Sequence, residues 1–288
     1  MLKRELVTWR GTPGVGDFMW ALNSVHLHSW RTKTPIDLEM HWSHGENHIH
    51  HFEDPETIIE RMQYMHRFYD RKEDVQISHM INSNGRYSSW KYEDDTELMP
   101  DGSKRQVAKH FDKTRFYFES GRYSDKEGDQ VPDNDWIFRE DVFLDIVPNK
   151  IVFWRPTFNA ETPRTWKRQL TNNDWDVIID KLKSHGFQMV ELTYRTPIRE
   201  AMWHISTCRQ VICYDGMWHY VAKNFCKPLI VISEEGVTKY HTKYAVRTSH
   251  NSEVDASIWF WVDNPEIMLE HSQKKADNFR ERIRELRQ

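Results

Sequence analysis

No apolar run in this chain is longer than a strand needs, so no stretch of the sequence reads as a bilayer-spanning helix. The opening residues, Met1-Leu2-Lys3-Arg4-Glu5, lack the apolar core of a secretory leader, and it is the cysteine usage that leads to the expectation of a reducing, cytoplasmic setting. Cysteine is scarce. Cys208, Cys213 and Cys226 are too few and too clustered for a disulfide framework. Two of them lie in or beside apolar runs, where cysteine serves as a small hydrophobe. Positive charge is not in excess either: a formal net charge of −4 excludes a basic field over the whole molecule. That disfavours a protein held mainly by nucleic-acid phosphates, although a local basic groove would still be compatible.

What is present is a β/α plan, read twice. At 288 residues the chain suits two domains of about 140 residues each. Leu6-Val7-Thr8-Trp9 reads as a buried strand and is followed by Gly11-Thr12-Pro13-Gly14-Val15-Gly16-Asp17. An apolar helical pattern then runs through Phe18, Met19, Ala21, Leu22, Val25 and Leu27. Ile36–Met40 alternates with period two, a helix is expected from Asp54-Pro55 to about Tyr69, and Val75–Met80 is a third strand. Residues 82 to 135 are polar and turn-rich, with Asn84-Gly85, Asp101-Gly102 and Glu127-Gly128, and read as a loop-rich insertion with a hairpin near Thr114–Glu119. The domain boundary is expected at Pro148-Asn149, giving an N-terminal domain over 1–148 and a C-terminal domain over 149–288. In the second, Ile151–Trp154 is a strand, and Asn172 or Asn173 caps a helix. Phe187–Leu192 is the next strand, Ile198–Ser206 a short helix, and about Pro265–Leu286 an amphipathic terminal helix. Alternating strands and helices of this kind imply parallel sheets, with ligands beyond the carboxyl ends of the strands.

Residues 213 to 228 carry the most chemistry. Arg209–Cys213 and Leu229–Ile232 are apolar runs, and between them lie a turn at Asp215-Gly216 and a short helix starting near Met217. A helix begun this way aims unpaired N–H groups and its positive end beyond the strand, where an anion such as a diphosphate is the natural occupant. Trp154-Arg155-Pro156 ends another strand of the same domain, and Pro163-Arg164-Thr165-Trp166-Lys167 follows. Arg155 and Lys167 beside a helix start would make a diphosphate clamp. The bland alternative is a βα turn in which Asp215 bonds local backbone and His219 is partly buried.

The glycine loop fits neither familiar phosphate motif. Gly11 and Gly16 have P-loop spacing, but Asp17 stands where a lysine must neutralise phosphate. Gly14 and Gly16 fit a dinucleotide fingerprint, but Met19 occupies its third glycine position. Asp17 is suited instead to accept a proton from a hydroxyl, or simply to cap the helix. His41, His44, His48, His50 and His51 cluster with Glu46, yet no cysteine joins them, and solvated or partner-facing histidines are the expectation rather than a metal site.

Taken in order, these motifs resemble the glycosyltransferases of the heptosyltransferase type, family 9. Gly14-Val15-Gly16-Asp17-Phe18-Met19-Trp20-Ala21-Leu22 is similar to that family's Gly-x-Gly-Asp turn and helix. Asp215-Gly216-Met217-Trp218-His219-Tyr220-Val221-Ala222, with Lys227-Pro228, is similar to its Asp-Ser-Gly-x-x-His segment with one residue missing. The resemblance implies an α/β chain of two Rossmann-like domains facing across a cleft in the GT-B arrangement. It implies Asp17 as catalytic base on an acceptor hydroxyl, without a metal, and with Gly14 and Gly16 shaping the loop. It places a nucleotide-sugar, as co-substrate rather than cofactor, against Arg155, Lys167, Asp215, Gly216, Met217 and His219. Transfer would proceed with inversion, and the acceptor would be a glycan, a lipid-linked sugar or another hydroxyl compound. The rivals are a nucleotide- or sugar-binding GT-B protein without catalysis, an epimerase of nucleotide-sugars, and a transferase acting on modified nucleic acid.

Overall fold

A computed structural model describes residues 4–11, 15–42, 58–82, 96–98, 104–106, 135–155, 170–193, 195–214, 216–232, 244–248 and 256–288. The chain separates into two compact units, Met1–Arg67 with Arg71–Trp136, and Phe68–Asp70 with Ile137–Gln288.

In the first unit, β1 (Glu5–Gly11), α1 (Val15–Thr32), β2 (Ile36–Trp42), α2 (Ile58–His66) and β3 (Val75–Asn82) alternate as the periodicity predicts. The three strands form a parallel sheet in the order β1-β2-β3, in register from Glu5 opposite Ile36 to Gly11 opposite Trp42. A shift in the β2–β3 register falls between Leu38 and Glu39. Helix α1 buries more than one stripe: Asn23, Ser24, His26 and Ser29 are enclosed along with Phe18, Leu22 and Val25. Its neighbours α2, β1 and β3 account for this, and the enclosed hydroxyls are paired: Ser24 donates to the Trp20 carbonyl at 3.2 Å and Ser29 to that of Thr34 at 2.8 Å. β4 (Thr96–Leu98) and β5 (Lys104–Gln106) pair antiparallel, with Leu98 opposite Lys104. The expected hairpin at Thr114–Glu119 lies outside the described residues.

His66 closes this unit at the end of α2, against His26 at 5.6 Å between ring centroids, with Trp136 stacked on His26 at 6.2 Å. Burial lowers the His66 pKa from 6.5 to about 4, a backbone hydrogen bond at Val75 opposing the change. The unfolded chain protonates His66 below its ordinary value, whereas the folded unit does so only near the lowered one. Stability should therefore fall as pH drops through that window, by at most roughly 3 kcal/mol. His66→Leu is expected to flatten the decline in urea midpoint between these two pH values. An unchanged slope in the variant would show that other groups carry the acid sensitivity.

The second unit holds β6 (Lys150–Trp154), α3 (Asn172–Ser184), β7 (Gln188–Glu191), α4 (Ile198–Thr207), β8 (Gln210–Tyr214), α5 (Met217–Asn224), β9 (Leu229–Ile232), β10 (Val246–Thr248), α6 (Ile258–Asp263) and α7 (Pro265–Arg287). Its five strands are parallel in the order β10-β9-β8-β6-β7. β8 and β9 are buried at every position, as continuous apolar runs are in a parallel sheet covered on both faces. All three cysteines are free and buried, and burial pushes the thiols of Cys208 and Cys226 up to about 12 and about 11, so both stay protonated packing groups. Thr171, not Asn172 or Asn173, caps α3. Its hydroxyl accepts from the Asp174 N–H at 3.2 Å, and the Asp174 carboxylate accepts from the Thr171 N–H at 2.7 Å, a reciprocal box that an asparagine one residue later cannot close.

Residues 137–148 and 68–70 cluster with this unit. Phe138 donates its N–H to the Asn224 carbonyl at 2.9 Å and sets its ring 4.8 Å from that of Phe225. Arg139 donates to the Phe68 carbonyl at 2.9 Å, and Asn224 Nδ2 donates to the Tyr69 hydroxyl at 3.2 Å. Among the described residues, no helix is long and apolar enough to cross a membrane.

Candidate donor-binding site

The strand order of the second sheet decides where a ligand would sit. From β7 to β10 the strands run second, first, third, fourth, fifth in chain order, so the direction of winding reverses between β6 and β8. In open parallel sheets the crevice beyond the carboxyl ends of those two strands is the usual ligand position. Here those ends are Trp154 and Tyr214.

The turn after Tyr214 leads into α5 through Gly216, which serves as the N-cap at φ 158° and ψ −165° with no side-chain cap bond. A Cβ at this position would come within 3.0 and 3.1 Å of two ring atoms of Trp154. Any side chain at the start of α5 would therefore press on the indole at the end of β6, which would have to give way by a few tenths of an ångström. Glycine there leaves a helix start that no side chain of its own closes, in contrast to α3 and to α6, where Ser257 accepts from the Phe260 N–H. Met217 is the first helical residue.

Tyr214 organises the other side of the crevice. Its hydroxyl accepts from the Leu170 N–H at 2.9 Å, which fixes the chain three residues after Lys167 and just before α3. Burial pushes this phenol up to about 12, so it stays protonated at neutral pH. Trp175 of α3 packs edge-on against the Tyr214 ring, with centroids 6.0 Å apart, and stacks on Phe153 at 5.7 Å.

The expected site residues separate into three groups. Gly216, Met217 and His219 come together on the first turn of α5. His219 is completely enclosed: its Nε2 lies 2.5 Å from the Tyr244 hydroxyl, and its ring stacks on Tyr244 at 5.6 Å and an interplanar angle of 11°. Its side chain thus faces the core, and its backbone N–H is the group it offers at the helix start. Arg155 directly follows β6 but turns toward β7 and α3. Its Nε donates to Glu191 at 2.8 Å and a terminal nitrogen donates to Asp176 at 2.9 Å, bonds that hold the guanidinium still more firmly protonated. There it lines an open recess of about 460 Å³ with Phe153, Ile179, Lys183 and Glu191. No hydrogen bond or ion pair among the described residues links it to the α5 turn. Lys167 and Asp215 lie outside the described residues, as does Gly14.

In the first unit the strand–turn–helix expected around the glycine loop is present, with β1 ending at Gly11 and α1 beginning at Val15. Gly16 and Asp17 are the second and third residues of α1. Of the histidine cluster, His41 belongs to β2 and the remainder lies outside the described residues. Tyr214 and Tyr244 were not singled out by sequence. Tyr214 could have been found as the polar tip at the end of an apolar strand, whereas nothing in the pattern around Tyr244 marks it.

No protein-family model and no curated protein matches the sequence. Three solved structures are similar in chain course. Escherichia coli heptosyltransferase WaaC with ADP shares 12% identity, covering 94% of this chain and 99% of that one, with a TM-score of 0.43. The same enzyme with ADP-2-deoxy-2-fluoro heptose shares 12% identity over 93% and 99% of the two chains at a TM-score of 0.44. The iron-containing dodecameric glycosyltransferase TibC from enterotoxigenic E. coli shares 12% identity over 99% of this chain and 77% of that one, at a TM-score of 0.48.

Proposed function

We propose that this chain is a glycosyltransferase that moves a sugar from a nucleotide-sugar donor to an acceptor hydroxyl. The observation that carries the reading is the glycine-capped start of α5 at the reversal point between β6 and β8. Met217 and its neighbours offer backbone N–H groups there, with the helix dipole adding to their pull on a diphosphate. The second unit would bind the donor in this way, with Lys167 and Asp215 contributing from the adjoining loops. Arg155 would act mainly by fixing the ends of β6 and β7 through Glu191. The first unit would bind the acceptor and supply Asp17.

In the inverting step, the acceptor oxygen attacks the anomeric carbon while the bond from that carbon to the diphosphate oxygen breaks. The electron pair leaves with the nucleoside diphosphate, and the acceptor proton passes to the Asp17 carboxylate. Leaving-group charge is met by N–H groups and a cation, so this scheme runs without a metal.

The test is thermal-shift screening against a panel of nucleoside diphosphates and nucleotide-sugars. A true donor at about 100 to 1,000 times its dissociation constant should stabilise the protein by roughly 2.7–4 kcal/mol. Silence from every member of the panel would overturn the donor-site assignment.

A further inference from the structure

Tyr244 stands just before β10, twenty residues beyond α5 in the chain, yet it touches that helix at two consecutive turns. His219 and Lys223 are four apart on α5 and so share one face. His219 hydrogen-bonds the Tyr244 hydroxyl and stacks on its ring. The Lys223 ammonium lies over the same ring, 5.1 Å from its centroid. Phe279 of α7 backs the ring at 5.4 Å. All four side chains are buried, with Tyr244 itself 3% exposed.

We infer that Tyr244 is a positioning residue for the donor diphosphate, holding α5 at one rotation about its axis through His219 and Lys223. The inference rests on the donor-site reading above. A helix start binds an anion only if its first N–H groups converge on one point, and those of Met217, Trp218 and His219 turn together with the helix. Gly216 itself gives the turn no side-chain cap, so contacts of the buried face help to set its orientation. The Tyr244 hydroxyl is a directional contact at the first turn, beside the N–H groups, whereas the Asn224 bond to Tyr69 acts at the far end of the helix, and ring stacking or an ammonium over a ring tolerates rotation better than a hydrogen bond does.

The experiment measures nucleoside diphosphate affinity by calorimetry, with ADP, UDP and GDP in turn, for the whole chain and for Tyr244→Phe, His219→Leu and the double variant. Tyr244→Phe keeps the ring and removes only the directional bond. It should weaken binding by roughly three- to ten-fold, the worth of one net hydrogen bond. The double variant should bind no more weakly than the poorer single variant, because both changes remove the same link. In turnover assays the donor KM should rise with kcat at saturating donor unchanged. Unchanged affinity in Tyr244→Phe, or single effects that simply add, would overturn the positioning role even if the melting temperature fell. Should His219→Leu fail to fold, His219→Phe, which keeps a ring and removes the hydrogen bond, takes its place in the cycle. If the unaltered chain binds none of the three diphosphates, it is the donor-site reading that fails; if it binds one and Tyr244→Phe binds it equally well, only the role of Tyr244 does.

Discussion

Asp17→Asn is expected to slow sugar transfer by about 10²- to 10⁴-fold while leaving nucleoside diphosphate affinity unchanged. The substitution separates two roles that a carboxylate in the first turn of α1 can play. An asparagine inside the first turn is nearly isosteric with aspartate and costs the helix little in propensity, so α1 should form as before. It cannot take up a proton. If Asp17 served only as a first-turn carboxylate favoured by the helix dipole, transfer and donor hydrolysis would continue at the original rate, and the chemistry would lie elsewhere. The paired measurement is therefore rate and affinity on one preparation. A loss of rate at constant affinity identifies the base; a joint loss points to a disturbed fold.

The second half of the β/α plan was legible because parallel strands covered on both faces must be nearly all apolar, and Val211-Ile212-Cys213 and Leu229-Ile230-Val231-Ile232 are; in the first half it was the alternation of Ile36-Asp37-Leu38-Glu39-Met40 that marked β2. The turn at Gly216 was legible for a related reason: a glycine between an apolar strand and a helix marks a close approach. What the glycine approaches was not legible, since Trp154 lies 62 residues earlier and meets it only once β6 and β8 pair. β10 was hidden because Val246-Arg247-Thr248 is three residues long and is a strand only by virtue of its neighbour β9. α6 was hidden because Ile258-Trp259-Phe260-Trp261-Val262 has no polar interruption by which a helix and a strand could be told apart. Arg155 shows the limit for side chains. Its place after β6 follows from the sequence, but its direction was decided by Glu191 and Asp176, two carboxylates on other elements.

Trp175→Ala should destabilise the second unit by about 3–5 kcal/mol, because the indole is 1% exposed and the space it leaves is walled by residues of several elements. Domains are stable by only about 5–15 kcal/mol, so the loss would consume a large share of the margin and lower the melting temperature by roughly 10 °C. Val177 on the same helix is 46% exposed, and Val177→Ala should stay within about 0.5 kcal/mol. The contrast assigns the effect to burial rather than to helix propensity. Trp175 also touches both sides of the reversal point, stacking on Phe153 of β6 and meeting the Tyr214 ring of β8 edge-on. Its removal should consequently free the Tyr214 hydroxyl from its fixed position and loosen its hold on the Leu170 N–H just before α3. Nucleoside diphosphate affinity should fall along with stability in Trp175→Ala, whereas Val177→Ala should alter neither. Denaturant midpoints and diphosphate titrations on the two variants decide the matter. A stable Trp175→Ala protein would mean that the packing around the strand ends does not depend on this ring, and full affinity in a destabilised one would place the donor site away from β6 and β8.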